Sequence, residues 1–242
     1  MYSFKREDYS SDEEFCNFRP LTGGKLKENF LFRGASPVDN SRGRAPYTDA
    51  ILKAHSIETI IDLADSEDDI AEYRQAGDFN SPYALSLYED GNVALLSMGS
   101  AYQTQVYAEK FVAGLRLLLE NGGPAYIHCM EGKDRTGFTC FLLEALAGAT
   151  YDELRADYMT TYKNYYQVTP DRTPDKYESI ASLYFDAFAT YLHFEVFSGF
   201  LLSAGNDEVL RKADYTEDAK RYLRFGGMTD EEVESLYQLI TK

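Results

Sequence analysis

The chain has 242 residues and a formal net charge of −16, with 44% hydrophobic and 26% charged residues. That is enough apolar material for one sizeable core. The charge has the wrong sign for a nonspecific nucleic-acid binder or for attachment to an anionic membrane surface, so an anionic ligand must be caught by a local cationic pocket.

Three cysteines without a CxxC pair or Cys/His metal spacing fit a reducing, cytoplasmic setting and imply no metal site and no cofactor. No apolar secretion-signal stretch opens the chain and no run approaches a membrane span, so neither a leader nor stable membrane insertion is expected.

Residues 1–19 are polar and mixed in charge, and read as an arm or a first strand. Gly23-Gly24 marks a turn, Asn29-Phe30-Leu31-Phe32-Arg33 a short strand, residues 36–46 a loop and 47–54 a short helix. Residues 57–63 are β-branched between polar neighbours and predict a buried strand. The acidic run 65–69 reads as a solvated edge. Tyr83-Ala84-Leu85-Ser86-Leu87 reads as a further strand, ending in Glu89-Asp90-Gly91-Asn92.

Tyr107, Phe111, Leu115, Leu118 and Leu119 follow helical spacing, and Gly122-Gly123-Pro124 stops them. A short strand, Ala125-Tyr126-Ile127-His128, leads almost at once into a helix with Phe138, Phe141, Leu142, Ala145 and Leu146 on its apolar stripe. Thr150 with Glu153, and Thr229 with Glu232, are capping boxes that open later helices. The pattern predicts a single α/β domain over 1–242. Its core, about 1–150, has a central, mainly parallel sheet flanked by helices, and the part from about 150 to 242 is helical.

The segment His128-Cys129-Met130-Glu131-Gly132-Lys133-Asp134-Arg135-Thr136-Gly137 lies between that short strand and its helix. A tight strand-to-helix loop points successive backbone N–H groups into one concavity at the positive end of a helix, which fits a phosphate dianion. The same field favours the thiolate of Cys129, the attacking form. Arg135, six residues on, offers a planar guanidinium able to hold two phosphate oxygens. Gly132 permits a backbone that a Cβ would block. The Cys-x5-Arg spacing alone arises too readily by chance to carry the assignment; the full string in its strand–loop–helix setting is far rarer. The plainer alternative is a buried structural Cys129 beside a surface Arg135.

The loop resembles the active-site loop of cysteine-based protein tyrosine phosphatases, and its Gly-Lys-Asp-Arg-Thr-Gly form resembles the bacterial tyrosine/phosphoinositide phosphatase family. Asn17-Phe18-Arg19 with Gly23-Gly24, Leu31-Phe32-Arg33-Gly34, Ile60-Ile61-Asp62-Leu63 and Ala156-Asp157-Tyr158-Met159 resemble further stretches of that family, with Pro20 and Ala64 departing from it. The resemblance implies a protein-tyrosine-phosphatase-like fold and two-step phosphate-ester hydrolysis through a phosphocysteine. Cys129 is then the nucleophile, and Arg135 with the 130–135 backbone holds the phosphate. Thr136 hydrogen-bonds the sulfur, and Asp134 inside the loop is the general acid.

Several roles stay open on the residues alone. Asp90 is the rival acid, because it follows a candidate strand upstream of Cys129, although Asp-Gly is also a common turn. Glu89 and Asp65 are outsiders. His128 orients the loop or acts as an acid or base. Lys133 is either a second cation for phosphoinositide or multiply phosphorylated substrates, or a solvated lysine at the rim. The aromatic stretches 158–166 and 185–200 form either a helical lid or packed core, and core is preferred. The substrate is expected to be a phosphorylated protein or a phospholipid or inositol phosphate. A phosphate-binding pseudoenzyme is the alternative from another class.

Overall fold

The computed structural model describes residues 2–194 and 207–242. The opening arm carries one 3-10 turn, Arg6–Asp8, and a short helix α1, Asp12–Phe15, before a two-residue strand β1, Arg19–Pro20. Then follow β2 (Leu31–Gly34), α2 (Ala45–Ala54), β3 (Thr59–Asp62), α3 (Glu67–Gln75), α4 (Pro82–Glu89), β4 (Val93–Leu95), α5 (Gln105–Asn121) and β5 (Ala125–His128). The remaining described chain is helical: α6 (Asp134–Leu146), α7 (Tyr151–Tyr166), α8 (Pro174–Ile180), a π turn (Ala181–Phe185), α9 (Asp186–Phe194), α10 (Asp207–Lys212), α11 (Tyr215–Phe225) and α12 (Asp230–Ile240). No helix among the described residues is long and apolar enough to cross a membrane.

The sheet runs β1-β2-β5-β3-β4, parallel except for β1. Its central strands are buried on both faces, as parallel strands are when helices cover both sides. Alternation sorts their side chains. Leu31, Ile61 and Ile127 join the large core that also holds α5 and α6. Phe32, Ile60 and Tyr126 join a second core with Ile51, Leu52 and Leu87 of α2 and α4. The expected α/β architecture is therefore present, with helices on both faces and a helical C-terminal part.

Register places Gly34, Asp62 and His128 side by side at the C-terminal edge of the sheet. The loop after β5 starts from that edge, where open α/β sheets bind their ligands. Both predicted capping boxes are formed, at Thr150 with Glu153 and at Thr229 with Glu232. Each such cap is worth about 1 kcal/mol.

Two expectations are corrected. Residues 83–87 are not a strand but the middle of α4. Pro82 sits in its first turn, where proline is pre-organised for a helix. The buried Asp49 carboxylate of α2 accepts from the N–H groups of Tyr83 at 3.3 Å and Ala84 at 2.7 Å, so a residue far upstream caps this helix. The strand comes later, at Val93–Leu95, after Gly91 turns the chain with φ +78°. The acidic run 65–69 is also not uniformly solvated. Glu67 and Asp68 are exposed, Asp69 closes a capping box with Ser66, and Asp65 is buried.

Candidate active site

The loop from Cys129 to Lys133 joins β5 to α6, and its carbonyls are held from outside. Met130 O accepts from Ser36 N at 3.1 Å. Glu131 O accepts from the Tyr165 hydroxyl at 2.8 Å. Gly132 O accepts from Arg33 Nη2 at 2.9 Å and Asn17 Nδ2 at 3.2 Å. Among the described residues, the N–H groups from Met130 to Lys133 have no protein acceptor. Carbonyls held from outside and N–H groups left without acceptors are an arrangement that can take an anion. The α6 helix adds its positive end. Gly132 is required: its φ is +64°, and a Cβ there would meet the Gly34 carbonyl oxygen at 2.2 Å.

Cys129 lies in the loop at 4% exposure, and Arg135 lies in the first turn of α6. Arg135 Nη1 donates to Met98 O at 2.9 Å, which ties the guanidinium to the segment after β4. The Tyr107 hydroxyl of α5 donates to Arg135 O at 3.2 Å. The Thr136 hydroxyl is buried and makes no hydrogen bond among the described residues. Burial pushes the other two thiols, Cys16 and Cys140, up to about 12. They are packed core residues.

A buried ion network supports the loop. Asp157 of α7 pairs with Arg19 Nε at 2.6 Å and with Nη1 of Arg33, whose side chain is fully buried. Burial alone would raise Asp157, but the two guanidinium groups win and hold it below the usual carboxylate range. Asn17 also donates to Thr161 Oγ1 at 3.0 Å, fastening α7 to the same corner. Asn17, Arg33 and Asp157 were visible in the sequence only as positions resembling a family. Nothing local to Ser36, Tyr107 or Tyr165 points to contact with this loop.

The carboxyl candidates separate. Asp134 is the first residue of α6, 62% exposed, with Lys133 Nζ 3.8 Å away. Asp90 ends α4 and is exposed. It precedes β4, whose parallel register with β3 puts it at the opposite edge of the sheet from the loop. At least the length of β4, about 10 Å, separates the two edges. The structure therefore does not bring Asp90 to Cys129.

Two other carboxyls do lie beside the loop's base. Asp62 and Asp65 form a pair at the end of β3; burial pushes Asp62 up to about 6 and Asp65 up to about 7. The Tyr73 hydroxyl donates to Asp65 Oδ1 at 3.2 Å. His128 is buried and stacked on Tyr126, with Nε2 3.8 Å from Asp62 Oδ2. Burial pushes it down to about 4, so it is neutral at pH 7. Asp65 is an outsider on the sequence alone, and nothing local to Asp62 marks it as a partner.

At the rim, Met130 is exposed at 39%. The Glu131 carboxylate accepts from the Tyr2 hydroxyl and lies 3.5 Å from Arg42 Nε and 4.0 Å from Lys133 Nζ. Lys133 and Asp134 open onto a cleft of about 470 Å³ walled by Tyr162, Tyr166, Tyr184 and Ile180, with Lys176 beyond. In the two stretches read as lid or core, Tyr158, Tyr162, Tyr165, Phe185 and Phe188 are buried. Phe185 packs on Phe141 and Phe188 on Phe138, so these parts are core. Residues 195–200 of the second stretch lie outside the described residues.

A sequence model of the tyrosine phosphatase family matches residues 13–242. A protein of Cupriavidus necator named "Putative tyrosine-protein phosphatase" is 42% identical over 53 residues, which span 22% of this chain and 19% of that relative. With a match that runs from before β1 through the loop to the closing helix, the chain belongs to the tyrosine phosphatase family.

Proposed function

We propose that the protein hydrolyses phosphate monoesters, phosphotyrosine foremost, through a phosphocysteine intermediate, as one phosphatase domain spanning 1–242. The observation that carries this is a buried Cys129 in a loop whose following N–H groups have no acceptor among the described residues, with Arg135 in the first turn of the helix that the loop enters. The Cys129 thiolate attacks phosphorus and the ester P–O bond breaks. The leaving oxygen takes a proton from Asp134, the exposed first residue of α6 beside Lys133. Water then attacks the phosphocysteine, its proton returns to Asp134, the S–P bond breaks and inorganic phosphate leaves. The backbone N–H groups and Arg135 stabilise equatorial charge in both steps, and the Thr136 hydroxyl donates to the departing thiolate. Neutral, buried His128 has an orienting role in this scheme.

A second reading keeps the same groups and changes the substrate to a phosphoinositide or inositol phosphate. Lys133 favours it, as a cation on the cleft beside the loop. Three thiols without a disulfide support a reducing, cytoplasmic setting. The test is turnover of p-nitrophenyl phosphate by wild type and Cys129→Ser. Wild-type turnover lost in the variant is the expected result. Undiminished turnover by the variant removes the nucleophile, and an inactive wild type that still binds phosphate makes the protein a binding module. Phosphotyrosine peptides, phosphoserine peptides and phosphoinositides compared side by side separate the substrate classes.

A further inference from the structure

The N-terminal arm reaches the rim of the candidate active site, and it precedes the residues, 13–242, that match the family. Tyr2 is half-buried there. Its ring stacks on Tyr166 at 5.2 Å and meets the edge of Tyr165 at 5.4 Å. Arg44, 1% exposed, anchors the group from below. Its guanidinium faces the rings of Tyr165 at 4.5 Å, Phe15 at 5.1 Å and Tyr2 at 5.3 Å, and donates to Phe15 O at 2.8 Å. The aromatic group grips Glu131 at both ends. The Tyr165 hydroxyl holds its carbonyl at 2.8 Å, and the Tyr2 hydroxyl holds its carboxylate.

Glu131 is the one acid between Cys129 and Lys133. Its charge opposes any dianion in the cradle. Its second oxygen, Oε2, is 4.0 Å from Lys133 Nζ, which already has Asp134 at 3.8 Å. Arg42 Nε, 3.5 Å from Oε1, is the other restraint on this carboxylate. Without the shorter Tyr2 bond, Glu131 would be free to close its 4.0 Å approach to Lys133 and to compete with substrate for the lysine.

We infer that Tyr2 is a positioning residue for the loop: it holds the Glu131 carboxylate against the arm, which keeps a negative charge away from bound phosphate and limits its hold on Lys133 to a 4.0 Å contact. This rests on the loop being a phosphate site. Tyr2 acts through Glu131 and touches no reacting atom.

The experiment measures inorganic phosphate, both by calorimetry and as a competitive inhibitor of p-nitrophenyl phosphate turnover. It compares wild type, Tyr2→Phe, Glu131→Gln and the double variant. Tyr2→Phe keeps the ring and loses only the hydroxyl. It should weaken phosphate binding and raise KM about fivefold while kcat stays within about twofold, the size of one poorly screened charge interaction at a protein surface. In the Glu131→Gln background the same change should have no effect on either quantity. Unchanged phosphate affinity in Tyr2→Phe overturns the inference, as does an equal loss in both backgrounds, which marks loosening of the arm and not a misplaced charge. A wild type that binds phosphate beside an unaffected Tyr2→Phe leaves the phosphatase reading standing. A wild type that neither binds phosphate nor turns over the ester removes both.

Discussion

Arg33 and Gly132 are 99 residues apart in the chain, yet Arg33 Nη2 donates to the Gly132 carbonyl at 2.9 Å inside the protein. The guanidinium therefore joins two systems. One face pins the loop that surrounds Cys129, and Nη1 neutralises Asp157 of α7.

Arg33→Met should consequently damage stability and site together. It leaves Asp157 with only Arg19 and leaves the Gly132 carbonyl with only Asn17. Breaking one side of a buried ion pair costs about 3–5 kcal/mol. Urea denaturation should show a loss of that order. A loss below about 1 kcal/mol would mean that the network carries little of the fold.

Gly132→Ala should act on the loop more than on the fold. Its Cβ would meet Gly34 O at 2.2 Å and the Gly34 carbonyl carbon at 2.3 Å, with φ at +64°. The loop must move to accept it, which misplaces the N–H groups. Activity on p-nitrophenyl phosphate should fall at least about tenfold, since small misplacements of a reacting geometry are costly. Gly91→Ala is the control. Its φ is +78°, but nothing lies within 4 Å of the added carbon. It should cost about 1 kcal/mol of stability and leave turnover unchanged.

These two glycines show what the sequence could and could not tell. The strand, loop and helix around Cys129 were legible because their signals are local: a short β run, a glycine-containing turn and an apolar helical stripe. The capping boxes at Thr150 and Thr229 were legible for the same reason. The partners that aim the loop were not. Ser36, Tyr107 and Tyr165 meet it through the fold, and nothing within a few residues of them announces it. The strand expected at 83–87 failed in the same way. Tyr83, Leu85 and Leu87 alternate like a strand, but Asp49, far upstream, caps the segment as a helix. Asp65 sat in a run that looked solvated, and only the packing of α3, which brings Tyr73 over it, buries it.

The buried carboxyl pair predicts a direction for stability against pH. In the folded protein Asp62 rises to about 6 and Asp65 to about 7, both above their unfolded values near 3.8. The folded state therefore binds more protons than the unfolded one between about pH 4 and pH 7. What the pair contributes is fully present below the unfolded value and is lost as pH rises through that window. His128 runs the opposite way. Its folded value, about 4, is below 6.5, so its contribution grows as pH rises over the same range. The pair has the larger combined shift and should dominate. Asp65→Asn removes half of the pair. Measured by urea denaturation at pH 4.5 and pH 7.5, the variant should gain on wild type by about 3 kcal/mol between the two, with each unit of relieved shift counting about 1.4 kcal/mol. Parallel pH dependence in the two proteins would show that the pair does not titrate as described.

The acid assignment gives the sharpest contrast, because the two candidates lie at opposite edges of one sheet. Asp134 opens α6 beside Lys133, while Asp90 precedes β4. A general acid matters most when the leaving group is poor, because a good one departs without a proton. Asp134→Asn should leave p-nitrophenyl phosphate turnover nearly intact and lower the rate on an alkyl phosphate about a hundredfold, within the range general acids supply. Asp90→Asn should match wild type on both. If Asp134→Asn is also indifferent to the leaving group, the donor must be sought elsewhere at the C-terminal edge. Asp65 is then the first to test, since burial keeps a proton available there near neutral pH and it is already charge-coupled to His128 next to Cys129.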